Sequence, residues 1–285
     1  MEIFEFKPFD GIALSPLESK NIVDNKATTI NLERDIGLYK ENNGKVIIYF
    51  SDNIFEIDKE VLKHHMDRRS VLLINKNQDY YEAEVRTPNN YYKLVPIESG
   101  VTLEINGIHM HRIKGVNPLE DAKRKVRLAR IRPGSNVLEI GTGLGYTTIN
   151  SLKIGARKIV TIEKDENVLW LSERNPWSKE LSSNKITIVV GDAFSILKEI
   201  DMKFDNIIHD PPRLTSSSIS LYSKEFYENL FRLLKPKGVL FHYTGEPGRT
   251  KGKSLSSKVA SNLKSIGFNV IGYDKYAMGI IAIKG

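Results

Sequence analysis

The sequence predicts an α/β protein in which a seven-stranded, mostly parallel sheet with helices on both faces follows a small β-rich domain. Three observations carry this expectation. Beyond residue 134 or so, short apolar runs alternate with amphipathic segments, the order that builds parallel βα units. The last two apolar runs lie too close together for a crossover helix, so they predict an antiparallel hairpin at the sheet edge. Before residue 110, β-branched and aromatic runs follow one another without that alternation.

The N-terminal domain, residues 1–110, is expected to hold strands at VIIYF (46–50), VLLIN (71–75), YYEAEVR (80–86), YYKLVPI (91–97) and TLEIN (102–106), with one helix near 58–66. The boundary falls at 107–117, where GIHMHRIKGVNP has no periodicity, so residues 111–285 form the second domain. That domain opens with a helix: Asn117 suits the N-cap, Pro118 the first turn, and Glu120 the acid of a capping box. Leu119, Ala122, Val126 and Ala129 form its apolar stripe, Lys123, Arg124, Arg127 and Arg130 point elsewhere, and Pro133-Gly134 ends it. Buried strands are then expected at VLEI (137–140), KIVTIE (158–163), KITIVV (185–190), FDNIIH (204–209) and GVLFHY (238–243). Helices fill segments such as 145–155, 165–174 and 219–234, and NVIGYD (269–274) with MGIIAIKG (278–285) form the hairpin.

Of the 285 residues, 40% are apolar and 27% charged, the balance of an ordinary globular protein. No run approaches 18 apolar residues, and MEIFEFKPFD alternates charges with aromatics, so neither a signal peptide nor a membrane span is expected and a cytoplasmic location is. The absence of cysteine excludes disulfides, thiolate catalysis and Cys-based zinc sites. His64/His65 and His109/His111 lack partner ligands at a recognisable spacing, so no metal site is expected. The formal charge of +7 is uneven: the first hundred residues carry 13 Lys and Arg against 17 Asp and Glu, leaving 29 against 18 for the rest. A basic second half suggests a polyanionic partner, RNA or DNA, with a merely solvated charged surface as the alternative.

Candidate site residues cluster at the carboxyl ends of the predicted strands. In VLEIGTGLGYTT, Gly141, Gly143 and Gly145 allow a tight turn whose backbone can approach a ligand. Tyr146 stands where a dinucleotide fingerprint needs a small residue, and no Gly-Lys-Ser/Thr of a phosphate loop is present, so a bound pyrophosphate is disfavoured. The next strand ends in Glu163, whose carboxylate can accept both hydroxyls of a ribose. The third ends in GDAF, where Asp192 can accept from an adenine amino group and Ala193 gives apolar contact. The fourth ends in HDPPR, residues 209–213.

Through PGSNVLEIGTGLG, IVTIEKD, VVGDAF, FDNIIHDPPR and KPKGVLFHY, residues 117–285 resemble the class I S-adenosylmethionine-dependent methyltransferases. HDPPR, with the lead-in MHRIKGVNPLEDAKRKVR, is similar to a group of archaeal members. The resemblance implies a Rossmann-like methyltransferase sheet and S-adenosyl-L-methionine as cofactor. It also implies a cofactor site of Glu139, Gly141, Thr142, Gly143, Gly145, Glu163, Lys164, Asp192 and Ala193, with Glu139 ordering the loop.

Asp210 would then face the donor's sulfonium, where the enzyme's task is in-line positioning. An Asp side chain and a carbonyl of the Pro211-Pro212 segment can draw the lone pair of an exocyclic amine towards the methyl, so Asp210, Pro211 and Pro212 are the catalytic candidates. Methyltransferases of nucleobase amines follow Asp-Pro-Pro with an aromatic residue, whereas this chain has Arg213, whose plane can stack on a base or whose charge can pair with a phosphate or carboxylate. Arg213, His209, and Arg249 with Lys251 in the basic stretch after the fifth strand are the substrate-binding candidates, with a structural role at the strand end as the favoured alternative for His209. The expected activity is N-methylation of an exocyclic amine in RNA or DNA, with the N-terminal domain selecting substrate or forming a homodimer contact. Methyl or aminopropyl transfer to a small molecule is the alternative, and a non-enzymatic binding subunit is disfavoured because Glu163, Asp192 and Asp210 are all present.

Overall fold

The computed structural model describes residues 1–98, 100–245 and 255–285. These divide into two compact units, one of residues 1–5, 119–166 and 183–285 and the other of 6–118 and 167–182. The division does not follow a single cut near residue 110: the chain start belongs with the large sheet, and 167–182 belongs with the N-terminal unit.

The sheet unit contains strands β1 (Glu2–Phe4), β2 (Asn136–Ile140), β3 (Lys158–Glu163), β4 (Ile186–Val190), β5 (Phe204–His209), β6 (Leu234–Tyr243), β7 (Phe268–Asp274) and β8 (Gly279–Lys284). Helices α1 (Pro118–Leu128), α2 (Tyr146–Ile154), α4 (Ala193–Glu199), α5 (Lys224–Leu233) and α6 (Leu255–Ile266) follow the chain between them, whereas α3 (Glu166–Glu173) belongs, after Glu166, to the other unit. The sheet order is β1-β4-β3-β2-β5-β6-β8-β7. Strands β4, β3, β2, β5 and β6 pair in parallel, and β7 and β8 form the antiparallel edge hairpin. The seven expected strands are present, and an eighth joins them, because Glu2–Phe4 pairs antiparallel with Ile188–Val190.

The parallel strands read as apolar runs because both faces are covered. Leu138, Ile140, Ile207 and Leu240 pack into one cluster with Phe226 and Leu230 of α5 and Leu263 of α6. Their neighbours Val137, Ile208 and Phe241 pack into another with Val126 of α1, the period-two alternation of a strand. Helix starts are fixed locally: the Asp192 side chain accepts from Ser195 N at α4, and that of Ser223 accepts from Phe226 N at α5.

The N-terminal unit is β-rich. It holds a three-stranded sheet (Gly11–Leu14, Leu72–Asn75, Tyr80–Glu82) and two four-stranded ones, the first from Thr28–Ile30 to Asn53–Asp58 and the second from Glu84–Arg86 to Ile108–His109. The expected helix is found at Lys59–His65, and a second, Pro16–Val23, starts on a capping box between Ser15 and Glu18.

Candidate functional site

Four strand ends of the large sheet bring the predicted residues together. After β2 the chain turns through Gly141–Gly145 into α2. Gly141 has φ +92° and its amide donates to Ile162 O at 3.0 Å. A Cβ on Gly141 would lie 2.5 Å from the Asp210 carbonyl oxygen, so only glycine lets the β2 and β5 ends approach this closely. Gly143, at φ +53°, has open space where a side chain would project, and its amide donates to Glu163 Oε2 at 3.0 Å. The other Glu163 oxygen accepts from the amides of Lys164 and Asp165 at 2.9 and 3.1 Å. Burial raises the Glu163 carboxyl above its ordinary range, against those three amides. Thr142 Oγ1 bonds Thr161 Oγ1 at 2.7 Å beneath the turn, and Lys164 pairs with Asp192 at 3.2 Å across the β3 and β4 ends. Ala193 is the first residue of α4, directly after its cap Asp192.

Glu139 is fully buried and accepts from the hydroxyls of Thr147 and Thr148, which fastens β2 to α2. Burial pushes its carboxyl up to about 7, against the two hydroxyl bonds, with the Asp210 charge adding to the rise.

Asp210 follows β5, its amide bonded to Ile140 O at 3.0 Å. Its Oδ2 lies 2.5 Å from Lys125 Nζ, and the same ammonium lies 3.3 Å from Asp121 Oδ2 and 4.9 Å from the centre of the Tyr243 ring. Burial opposes the charge on Lys125, yet Asp210 and Asp121 outweigh it and hold the ammonium above the usual lysine range. Lys125 is therefore the central site residue that sequence reasoning did not single out. Pro211 is buried, and Pro212 is exposed with its carbonyl accepting from Tyr222 Oη at 2.8 Å. Among the described residues no donor reaches the Pro211 carbonyl. The Arg213 side chain is exposed, while its carbonyl accepts from Ser218 Oγ.

His209 does not face the site, which corrects the expectation that it binds substrate. It is fully buried with His242, ring centroids 4.2 Å apart, among Tyr222, Phe226 and Tyr227. Strand alternation sends its side chain into the face that Ile207 occupies, opposite to a solvent-accessible edge. Neither of its ring nitrogens has a partner among the described residues, and burial holds its pKa well below the ordinary histidine value. Arg249 and Lys251 lie outside the described residues.

In the other unit, His65 bonds Ser19 Oγ and Ser70 O within the core. Among the described residues no helix is long and apolar enough to cross a membrane.

The strand order, the crossover at β2 and β5, and the acids at successive strand ends define a Rossmann-like sheet of the methyltransferase type, with its ligand edge at the strands' carboxyl ends. A profile of the spermine/spermidine synthase domain matches residues 126–279, more than half of the chain, and the chain belongs to that family. An uncharacterized protein of Methanocaldococcus jannaschii is 38% identical over 273 residues, 93% of each chain. A polyamine aminopropyltransferase of Thermoplasma volcanium is 26% identical over 183 residues, spanning 63% of this chain and 64% of the relative. Among solved structures, a spermidine synthase in complex with the transition state analogue AdoDATO shares the fold, with a TM-score of 0.58 and 19% identity over 71% of this chain and 73% of that one.

Proposed function

We propose that the chain transfers an alkyl group from an S-adenosyl sulfonium donor to an amine, the reaction being aminopropyl transfer from decarboxylated S-adenosylmethionine to a small polyamine. This departs from the sequence expectation of RNA or DNA methylation. One observation carries it: among the described residues, the ligand edge is acidic. Asp121, Glu163, Asp165, Asp192 and Asp210 gather there, while Lys125 and Lys164 are already committed to ion pairs and Arg213 and Lys275 are exposed cations. An edge of that sign attracts a polyammonium acceptor and repels a phosphate chain. The family match and the aminopropyltransferase relative agree with that sign.

The open space at Gly143 and the Glu163 carboxylate beside it fit a nucleoside donor. Glu163 holds the ribose hydroxyls, Asp192 the adenine amine, and Ala193 the ring face, with Thr142 and Lys164 shaping the rim. The donor supplies a carbon already activated by the sulfonium charge, so the protein's work is alignment. Asp210 accepts an N–H of the acceptor amine and orients its lone pair. As the new N–C bond forms and the C–S bond breaks, sulfur leaves as a neutral thioether and the proton shed by nitrogen passes to Asp210. Lys125 fixes where that carboxylate sits.

A second reading has one observation in its favour. The Asp210 carboxylate is followed by the Pro211 carbonyl, which no donor among the described residues reaches, and these are the two kinds of acceptor that an exocyclic amine needs for N-methylation. The two readings separate in one assay: S-adenosylmethionine labelled in its methyl group and decarboxylated S-adenosylmethionine labelled in its propyl chain are each offered with linear diamines and triamines, and with total RNA. Propyl label should enter the polyamine fraction, and Asp210→Asn should abolish the transfer. Methyl label in RNA with no propyl transfer would overturn the aminopropyl reading.

A further inference from the structure

We infer that the amino-terminal edge of the large sheet, at the opposite ends of the strands from the transfer site, is a docking groove for the phosphodiester backbone of a single-stranded nucleic acid. The groove, about 540 Å³, is walled by Arg130, Arg132, Arg157, Lys235 and Lys237. Its one acid, Asp205, is used internally, paired with Lys235 at 2.7 Å and accepting the Asn136 amide at 2.8 Å. Arg157 is steadied by Asn136 Oδ1 at 3.2 Å. Among the described residues Arg130, Arg132 and Lys237 have no acidic partner, and all three are exposed.

Backbone conformation marks two of these cations. Arg130 has φ +55° directly after α1, where the Arg130 amide bonds Arg127 O and the Ile131 amide bonds Val126 O. That is the helix-end position where glycine is favoured, because a side chain is strained there. Lys237 has φ +61°, in a four-residue excursion, Lys235–Gly238, between Leu234 paired with Phe204 and Val239 paired with Asn206. At both places local structure favours glycine, and at both a long cation stands instead, on the same groove. Helix termination and strand pairing call for neither cation, and an anion in the groove would give both a role.

The form of the ligand follows from the layout. Exposed Lys158 and Lys185 continue the row at the starts of β3 and β4, so cations cross five neighbouring strands, β6, β5, β2, β3 and β4. At about 4.8 Å per strand the row is roughly 20 Å long, which suits a run of phosphates rather than one. The inference does not rest on the transfer reaction.

The test is fluorescence anisotropy of the full chain with a labelled twelve-residue oligouridylate over a series of salt concentrations. Four neutralised phosphates give a log–log salt slope near −2.8 at about −0.7 per contact. In R130G/K237G both substitutions relieve backbone strain, so folding is kept. Its affinity should fall at least about tenfold and its slope become shallower by about 1.4, while aminopropyl or methyl transfer to a small amine is unchanged. Failure to bind the oligonucleotide, or equal binding by R130G/K237G, would overturn the inference. Loss of binding in R249A/K251A but not in R130G/K237G would move the contact to the stretch after β6 and overturn it too. Competition by inorganic phosphate at the concentration of oligonucleotide phosphate would reassign the groove to a small anion.

Discussion

Replacing Lys125 by methionine should be the most damaging single change at the ligand edge. The substitution keeps the stem and removes the ammonium that Asp210 and Asp121 share at 2.5 and 3.3 Å. With the lysine side chain 11% exposed and Asp210 23%, two carboxylates are left facing one another with little water. Breaking a buried pair by removing one partner costs about 3–5 kcal/mol, and the partial exposure of Asp210 places this case near about 3. With a urea dependence of about 2–3 kcal/mol per molar, the unfolding midpoint of the sheet unit should fall by about 1–1.5 M. Far-UV circular dichroism or hydrogen exchange on α1 and β5 is the appropriate readout, because Trp170 and Trp177 both belong to the other unit. In K125M/D210N one of the stranded charges is gone, so this double variant should be more stable than K125M by at least about 1 kcal/mol. Turnover of K125M should fall by about a hundredfold through misplacement of Asp210, with partial rescue by K125R. Stability of K125M within about 0.5 kcal/mol of the parent, or strictly additive effects with D210N, would refute the shared-cation reasoning.

Two further outcomes concern buried titratable groups. His209 and His242 are neutral in the fold, His242 being held down to about 3 by burial. Their contribution is fully present above the unfolded pKa near 6.5 and is lost as pH falls towards the folded values, by about 1.4 kcal/mol per histidine at pH 5.5. H209F should be about 1 kcal/mol more stable at neutral pH, since two unpartnered ring nitrogens leave the core, and should lose about half of the histidine-linked acid sensitivity; unchanged acid sensitivity in chemical denaturation would count against the buried pair. Glu139 has the opposite sign. Its carboxyl, raised to about 7, favours the fold below the unfolded value and loses that contribution as pH rises through 7. Between pH 6 and 9 the parent should lose about 1.4 kcal/mol that E139Q does not lose, a difference that matched urea titrations would reveal or exclude.

Much of the fold and part of the site were legible in the sequence. The five parallel strands show as apolar runs because both of their faces are covered. The glycine turn, Glu163, Asp192 and Asp210 show because each directly follows such a run. Lys125 did not show, because three other basic residues share its helix and its partner Asp210 is 85 residues away. At 100° per residue it lies about 60° from Ala122, at the margin of the apolar stripe, with Asp121 four residues before it; those two facts were the available signal. His209 was misplaced for want of the strand's own rule, since a residue two after Ile207 shares its face. Strand β1 is three residues long, too short for any period, and its partner Ile188–Val190 is far off in sequence, beyond the whole N-terminal unit's first segment. In the N-terminal unit, SPLE at 15–18 carried the capping-box signature of the unexpected helix.

Charge is the property whose placement composition alone leaves open. The excess of basic residues beyond residue 100 suggested a polyanion at the active site. In the folded sheet unit, among the described residues, carboxylates are concentrated at the carboxyl ends of the parallel strands and Arg130, Arg132 and Lys237 stand without acidic partners at the amino ends. Parallel strands make this possible, because every amino end lies on one edge and every carboxyl end on the other. A strand of five or six residues sets the edges about 17–20 Å apart, twice the Debye length of about 8 Å at physiological ionic strength. Each edge would therefore attract the partner proposed for it with little interference from the other. The cationic amine proposed for the strands' carboxyl ends and the anionic chain proposed for the groove are in this geometry compatible occupants of one molecule rather than rival readings of one composition.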